Sequence, residues 1–186
     1  KAKHLLQVKP QLSVTHTVFV VDNSVSMLEH DINLHRDRQT AAYSMTALEF
    51  VAEQLFNGTA NNKDLVSLVE FSETPRTIFA REPVSWVLYN RMLSRRDSQS
   101  YQTRQQAKLM EYLTCDSNYL PALEAAEARL RDGYHQDCAL SLFFLSDGAP
   151  SDARQLGITP AAVLRRMCNK VADLSTKFGE ILNVKM

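Results

Sequence analysis

Two apolar runs, each closely followed by an aspartate, constrain the fold of this chain more than any other feature. The first run is Thr17–Val21, which is rich in β-branched residues and is followed by Asp22. The second is Ala139–Leu145, which lies just before Asp147. Continuous apolar runs of this length are typical of strands that are buried on both faces of a parallel sheet. Because ligands bind beyond the carboxyl ends of such strands, we expect both aspartates at that edge of the sheet.

The rest of the chain alternates between predicted helices and strands. Helical spacing of apolar residues, or a capping pattern, predicts helices at Thr40–Phe56, Tyr119–Leu130 and Thr159–Lys177, and more weakly at Val84–Leu93. Further strands are predicted at Leu65–Phe71, at Arg76–Phe79 and at Ile181–Met186. The second of these is close enough to the first to pair with it antiparallel at a sheet edge. This alternation predicts a doubly wound α/β fold, with an open, mostly parallel sheet, one short antiparallel edge strand and helices on both faces.

Length and composition indicate a single folded domain. The chain has 186 residues, 45% of them hydrophobic, and its 21 Lys and Arg residues balance 21 Asp and Glu residues. That size suits one domain with its own core. Zero net charge argues against a general nucleic-acid-binding protein, because such binding needs a basic surface. We interpret residues 1–13 as an N-terminal extension, residues 14–186 as the domain and the polar residues 94–108 as a surface insertion within it.

The cysteines and the apolar runs bear on where the protein resides. Cys115, Cys138 and Cys168 neither suggest a disulfide framework nor form a CxxC pair for zinc. No apolar run is long enough to span a membrane, and the first residues do not resemble a signal peptide. We therefore expect a cytoplasmic, intracellular protein with reduced thiols. Because the chain does not start with Met, we also expect it to be part of a longer protein.

Oxygen-bearing side chains follow each of the two apolar strands. Asp22, Ser24 and Ser26 occupy alternate positions of a loop, so their side chains can share one face. Asp147 supplies a second carboxylate at the end of another strand, and Ser117 adds a hydroxyl just before a helix. All five offer hard oxygen ligands, which suit Mg²⁺, Mn²⁺ or Ca²⁺ and disfavour zinc and copper. The sequence therefore predicts a hard-cation site at the edge of the sheet.

Three segments together resemble the von Willebrand factor type A domain and its metal-ion-dependent adhesion site. They are Asp22–Ser26, with the pattern Asp-x-Ser-x-Ser, Ser117–Leu123 and Phe144–Asp152. The resemblance covers residues 14–186 and implies a Rossmann-like fold. It also implies a final strand-helix unit, which we expect beyond Met186 in the longer protein.

This resemblance assigns roles to the five oxygen-bearing residues. It implies that Ser24, Ser26 and Ser117 contact the cation directly, while Asp22 and Asp147 act mainly through bound waters. A coordination position then stays open for an Asp or Glu carboxylate of a protein partner. The implied function is a cation-dependent adhesion or scaffold module of a larger multidomain protein or complex, and not an enzyme.

Two departures from the family pattern lie in the Ser117 segment. The family usually has Thr where Ser117 stands, and Ser keeps the oxygen but loses the methyl group that restricts its rotamers. Asp116 precedes it where the family loop is commonly rich in Gly. A carboxylate there could raise the affinity for metal while weakening the attraction of the ion for an external acid.

Two other classes of function remain open. One is a metal-dependent hydrolase, although we find no candidate base, no nucleophile–His pair and no phosphate-binding glycines. The other is a regulatory domain attached to a catalytic domain such as a kinase or a ubiquitin ligase. The full-length sequence would distinguish the second from a simple binding module.

Several residues outside the five carry alternative interpretations. Asp152 has a loop or capping role, or hydrogen-bonds near Asp147 or to a metal-bound water. Trp86 and Tyr89 are either partial core or exposed anchors for a partner. The charged residues between the first strand and the first helix are predicted to be a solvated polar insertion rather than a second metal site; they include His30, Asp31, His35 and Asp37.

Overall fold

The strands of the chain form one five-stranded sheet. A computed structural model describes residues 14–109, 117–133, 138–148, 150–178 and 183–185, with side chains for all of these except 99–109, 133 and 183–185. The strands are β1 Val14–Asp22, β2 Leu65–Phe71, β3 Pro75–Pro83, β4 Cys138–Leu145 and β5 Asn183–Lys185. Their order in the sheet is β3-β2-β1-β4-β5. Neighbouring strands are parallel except β2 and β3, which are antiparallel, so the predicted sheet is confirmed.

The strand order creates a crevice at the carboxyl edge of the sheet. β1 is flanked by β2 on one side and by β4 on the other, so the chain forms β2 and β3 on one side of β1 and later crosses to the other side to form β4 and β5. In register, Asp22 pairs with Phe71 and Val21 pairs with Leu145. The carboxyl ends of the three strands therefore lie side by side. This reversal of strand order is where open α/β sheets bind ligands.

Helices cover both faces of the sheet, as the sequence predicts. The helices are α1 at residues 38–56, α2 Trp86–Leu109, α3 Tyr119–Gly133, α4 Asp152–Leu156 and α5 Pro160–Phe178. Successive side chains of β1 point to opposite faces. Val18 and Val20 therefore join the core beneath α3 and α5, whereas Phe19 and Val21 join the core beneath α1 and α2. β1 is thus buried on both sides, which explains its continuous apolar sequence.

The first helix contains an irregular middle segment. It consists of Arg38–Ser44 in α conformation, Met45–Ala52 in π conformation and Glu53–Phe56 again in α conformation. The Glu53 amide donates to the Leu48 carbonyl five residues earlier, which is the π hydrogen-bond pattern. The helix begins two residues before the predicted start because Asp37 caps it, accepting the Thr40 amide at 2.7 Å.

The second helix is much longer than the sequence pattern predicts. The weak helical pattern ends at Leu93, but the structure continues the helix through residues 94–108 to Leu109. This polar segment is rich in Arg and Gln, which favour helices without needing an apolar face. Arg95 anchors its beginning by donating to both carboxylate oxygens of buried Glu70, at 2.8 and 2.6 Å.

Some predictions fall outside the described residues. These concern residues 1–13, Cys115, Asp116 and the ends of the predicted last strand, of which only Asn183–Lys185 is described. Two short elements, α4 and a 3₁₀ turn at Val25–Leu28, have no counterpart in the predicted elements. Within the part of the chain that the structure describes, no helix is both long and apolar enough to cross a membrane.

Candidate metal centre

Asp22 lies at the centre of the candidate site. It ends β1, and its side chain is fully buried. Its Oδ1 accepts hydrogen bonds from the Ser24 amide at 2.8 Å and from the Ser117 hydroxyl at 3.3 Å. Its Oδ2 accepts one from the Ser146 hydroxyl at 2.7 Å. These three donors carry no charge, so they orient the carboxylate without neutralising it.

A short 3₁₀ turn, Val25–Leu28, places two serines beside Asp22. The turn closes where the Met27 amide donates to the Ser24 carbonyl at 3.1 Å. Ser24 is buried and Ser26 is exposed, and their hydroxyl oxygens lie 3.0 Å apart. Ser26 therefore forms the solvent-facing end of this pair.

Asp147 lies on the other side of the crevice, two residues after the end of β4. Its side chain is largely buried, and its Oδ1 accepts a hydrogen bond from the Ser26 hydroxyl at 3.1 Å. The contacts thus run without a break from Ser117 through Asp22, Ser24 and Ser26 to Asp147. The structure brings the five predicted residues together, whereas their role as metal ligands stays a prediction.

The start of α3 holds Ser117 in place. The Ser117 carbonyl accepts the Ser151 amide at 2.8 Å. The amides of Tyr119 and Leu120 donate to the two carboxylate oxygens of Asp152, at 2.8 and 2.9 Å. Of the roles predicted for Asp152, the structure therefore shows the capping role. The cap joins the segment of Ser117 to the segment that follows β4.

Two further residues of the site have no counterpart in the sequence prediction. Ser146 donates to Asp22, and its hydroxyl also contacts the hydroxyl of Tyr119. The Tyr119 hydroxyl in turn donates to the Gly148 carbonyl at 2.6 Å. Burial raises the pKa of Tyr119, so the phenol stays protonated and able to donate. The position of Ser146, between β4 and Asp147, is the only sequence signal that could have indicated its role.

Arg38 is a charged neighbour of the site that has no counterpart in the sequence prediction either. Its guanidinium donates to Asp147 Oδ2 at 2.5 Å. The same guanidinium donates to both carboxylate oxygens of Asp31, at 2.9 and 2.5 Å. The hydrogen bond to Asp31, followed by that to Asp147, raises the pKa of Arg38, and the contact lowers the pKa of Asp31. Arg38 is thus a fixed positive charge at the rim of the site.

The charged segment before α1 is less solvated than predicted. Asp37 is fully buried because its side chain caps α1, and Asp31 pairs with Arg38. His30 is exposed and His35 is partly exposed. Across the described parts of the chain, no group of three or more His, Cys, Asp or Glu side chains lies close enough together to hold a metal ion.

The residues of the candidate site suit a small, hard cation. The five side chains offer two carboxylates and three hydroxyls, with neither sulfur nor imidazole among them. Octahedral Mg²⁺ binds oxygens at 2.0–2.1 Å, which places neighbouring ligand oxygens about 2.9 Å apart. The hydroxyl oxygens of Ser24 and Ser26 are separated by 3.0 Å. The donor chemistry and this spacing therefore both fit Mg²⁺ or a similar ion.

An open crevice of about 600 Å³ adjoins the site on the α1 side of the sheet. Met27, Ile32 and Met45 give it apolar walls, while Arg38 and Asp147 contribute charge. Three large apolar side chains are exposed close to the site in sequence, and they are Val25, Ile32 and Leu34. Exposed apolar side chains beside a polar cleft are common at protein-binding surfaces.

A sequence profile of the von Willebrand factor type A domain matches residues 17–149. This match includes most of β1, the Ser117 segment and Asp147, and it spans most of the chain. The chain therefore belongs to the von Willebrand factor type A domain family. Domains of this family are typically adhesion or protein-binding modules and are usually not catalytic.

Solved structures agree with the fold. Proximal thread matrix protein 1 from the mussel byssus is 14% identical, with a TM-score of 0.52, over 92% of this chain and 37% of its own. A von Willebrand factor type A protein from Catenulispora acidiphila is also 14% identical, with a TM-score of 0.50, over 92% of this chain and 32% of its own. This chain therefore spans about a third of either protein. No curated protein sequence gives a significant match.

Proposed function

We propose that this chain is a divalent-cation-dependent protein-binding module. In this proposal Asp22, Ser24, Ser26, Ser117 and Asp147 hold Mg²⁺, or Mn²⁺ or Ca²⁺ in its place, and the partner contributes an Asp or Glu carboxylate. The supporting observation is the continuous set of hydrogen bonds that runs from buried Asp22 through the amide and hydroxyl of Ser24 to exposed Ser26. A site built in this way is anchored inside the protein and accessible from solvent.

The mixture of ligand types explains why a carboxylate is the expected partner group. Hydroxyl oxygens are neutral, so they leave more of the positive charge of a divalent ion uncompensated than carboxylates do. A bound ion would supply electrostatic attraction for an external carboxylate. The role of Asp22 is to orient the serines, since its Oδ1 accepts both the Ser24 amide and the Ser117 hydroxyl.

The surroundings of the site favour a protein as the partner. Val25, Ile32 and Leu34 are exposed large apolar residues, and Leu34 is completely exposed. A protein surface that presents a carboxylate within an apolar patch could bury these side chains when it reaches the ion. Interfaces of this kind combine an apolar centre with a few polar contacts that fix the orientation.

Cation binding is tested first, with the metal alone. An ion that binds only the folded state stabilises it by about 2.7 kcal/mol at a hundredfold excess over its Kd. For a chain of this size, that raises the melting temperature by roughly 5–10 °C. We expect this shift with Mg²⁺ or Mn²⁺ in the wild-type protein and its loss in Asp22→Asn and Ser26→Ala. Matched controls are Asp173→Asn and Ser175→Ala, both on the exposed face of α5.

Partner binding is tested second, with an array of peptides. Peptides that contain Asp or Glu are compared with the same peptides carrying Asn or Gln, in Mg²⁺ and in chelator. We expect capture of acidic peptides in Mg²⁺ only. Capture that persists in chelator, or that ignores the change of Glu to Gln, contradicts a cation-bridged carboxylate.

A further inference from the structure

We propose that Arg38 is a built-in cation of this site that competes with the divalent ion for Asp147. We further propose that Asp31 weakens this competition by holding the same guanidinium from the outside. Both statements concern regulation of the proposed metal site, and they rest on the proposed cation binding. The resulting element is a set of three charged side chains, Asp31, Arg38 and Asp147, which we call the arginine bridge.

The geometry of the arginine bridge divides the donors of one guanidinium between two carboxylates. Nη1 donates to Oδ2 of Asp147 at 2.5 Å. Nε and Nη2 donate to the two oxygens of Asp31, at 2.9 and 2.5 Å. Two parallel hydrogen bonds to one carboxylate form the strongest common arginine contact. Arg38 is therefore held more firmly by Asp31 than by Asp147.

The three side chains of the arginine bridge differ in exposure, and the difference favours replacement of Arg38 by a divalent ion at Asp147. The Asp147 side chain is 7% exposed, whereas those of Arg38 and Asp31 are 26% and 53% exposed. Arg38 supplies a positive charge to a nearly buried carboxylate, which is costly to leave unpaired. A divalent ion could supply that charge instead, and Arg38 would keep its exposed partner Asp31.

Both oxygens of Asp147 are engaged, so an arriving cation must displace or repel something. Oδ1 accepts from Ser26, and Oδ2 accepts from Arg38. An ion drawn to Asp147 and Ser26, directly or through water, lies near the guanidinium, and like charges repel at short range. Arg38 also donates to the Ser26 carbonyl at 3.4 Å, so it touches both sides of the opening. Binding of the ion and the contact between Arg38 and Asp147 are therefore expected to oppose each other.

A purely structural role would predict different behaviour. If the arginine bridge only ties the start of α1 to the loop after β4, removal of Arg38 lowers stability and leaves cation affinity unchanged or weaker. Competition predicts the opposite change in affinity. The direction of the affinity change, measured on folded protein, therefore decides between the two roles.

The first experiment measures Mn²⁺ binding through the electron paramagnetic resonance signal of the free ion. Wild type is compared with Arg38→Gln and with Arg91→Gln, the latter removing an arginine from a surface pair with Glu82 on β3. We expect Arg38→Gln to bind Mn²⁺ at least tenfold more tightly and Arg91→Gln to stay within twofold of wild type. An unchanged or weaker affinity in folded Arg38→Gln overturns the proposal.

The same titration separates this proposal from the proposed function. If neither wild type nor Arg38→Gln binds Mn²⁺, the cation site itself is refuted, and the competition with it. If wild type binds and folded Arg38→Gln binds equally well, only the competition is refuted. Binding in Arg38→Gln that wild type lacks supports both proposals, because the arginine then blocks the site.

The second experiment changes the exposed end of the arginine bridge, and its first variant, Asp31→Asn, keeps Arg38 in place. In Asp31→Asn the guanidinium loses its ion pair with residue 31 and keeps the one with Asp147. We therefore expect Mn²⁺ affinity to fall severalfold. In the double variant, which carries Asp31→Asn together with Arg38→Gln, this loss is expected to disappear, because no guanidinium remains to be released. Unchanged affinity in Asp31→Asn, or a loss that persists in the double variant, overturns the role of Asp31.

Discussion

The carboxylate of Asp152 and the backbone amide of Tyr119 lie 2.8 Å apart, although 33 residues separate them in sequence. The same carboxylate accepts the Leu120 amide at 2.9 Å and so caps α3 from a different segment. Ser117 lies two residues before Tyr119, and Asp147 lies five residues before Asp152. The cap therefore fixes two parts of the candidate site relative to each other.

Replacement of Asp152 is expected to affect both stability and cation binding. Asp152 is buried, so Asp152→Ala leaves two amides at the start of α3 without their acceptor. Loss of a buried acceptor costs about 1–3 kcal/mol. We expect a decrease of that size in the free energy of unfolding, measured by urea denaturation. We also expect weaker Mn²⁺ binding, because Ser117 loses its support.

A second cap provides a matched control for this prediction. The Ser85 hydroxyl accepts the Leu88 amide at 3.2 Å near the start of α2. Ser85→Ala should cost about 1 kcal/mol, as is typical for a lost cap, without changing Mn²⁺ affinity. If both variants weaken Mn²⁺ binding equally, the effect reflects general destabilisation and not the position of Ser117.

A buried ion pair between β2 and α2 gives a second prediction. Glu70 is almost completely buried and pairs with Arg95, and the Tyr43 hydroxyl also donates to Glu70. Burial raises the pKa of Tyr43 well above its ordinary value, so it remains a donor. Removing one partner of a buried ion pair costs about 3–5 kcal/mol. We expect Glu70→Gln to lower the free energy of unfolding by about 3 kcal/mol, at the lower end of this range, because Arg95 retains some solvent contact.

The surface pair of Glu82 and Arg91 serves as the control for Glu70→Gln. Its two side chains are 35% and 46% exposed, and exposed pairs contribute about 0–1 kcal/mol. Glu82→Gln should therefore lower the free energy of unfolding by less than about 1 kcal/mol. Equal effects of the two variants in urea denaturation would show that burial does not strengthen the Glu70 pair.

The sequence predicted those parts of the site that depend on local pattern and on parallel topology. Apolar runs located β1 and β4, and parallel pairing placed Asp22 and Asp147 at one edge. The Asp-x-Ser-x-Ser pattern supplied the two serines between them. These features need only the order of residues along a strand or loop, so they can be recognised without knowledge of tertiary contacts.

The parts that the sequence could not predict are contacts between distant segments. Ser146 and Asp22 are 124 residues apart, and Arg38 and Asp147 are 109 residues apart. No periodicity or motif links such pairs, and in sequence an arginine within a charged segment cannot be distinguished from a solvated one. The length of α2 was missed for a different reason, since an exposed polar helix carries no apolar period to detect.

Thiol chemistry provides a third prediction. Cys138 is buried and Cys168 is exposed on α5. Burial raises the pKa of Cys138 to about 11, so only about 0.1% of it is thiolate at pH 8. We expect iodoacetamide to label Cys168 rapidly and Cys138 only after denaturation, as measured by mass spectrometry of the separate peptides. Rapid labelling of Cys138 in the native protein would contradict its burial in the core.

A cluster of charges between α3 and α5 gives a fourth prediction, which concerns acid stability. Glu127 on α3 contacts Arg131 on the same helix at 2.8 Å, and it contacts Lys170 at 2.5 Å and Lys177, both on α5. Hydrogen bonds from Lys170 and Lys177 are the main cause that lowers the pKa of Glu127 from its ordinary 4.5 to about 2. The folded state therefore keeps this carboxylate charged at pH values where the unfolded chain binds a proton.

The lowered pKa of Glu127 in the folded state makes the folded protein less stable at low pH. Below pH 4.5 the unfolded state takes up a proton that the folded state does not, so the stabilisation by Glu127 falls as the pH drops towards 2. Because the cations are partly solvated, we expect a contribution of only about 1 kcal/mol. Glu127→Gln should therefore flatten the pH dependence of unfolding between pH 5 and 2, measured by urea denaturation. Glu124→Gln, on the exposed face of the same helix, should retain the wild-type slope. An unchanged slope in Glu127→Gln would mean that other carboxylates dominate acid unfolding.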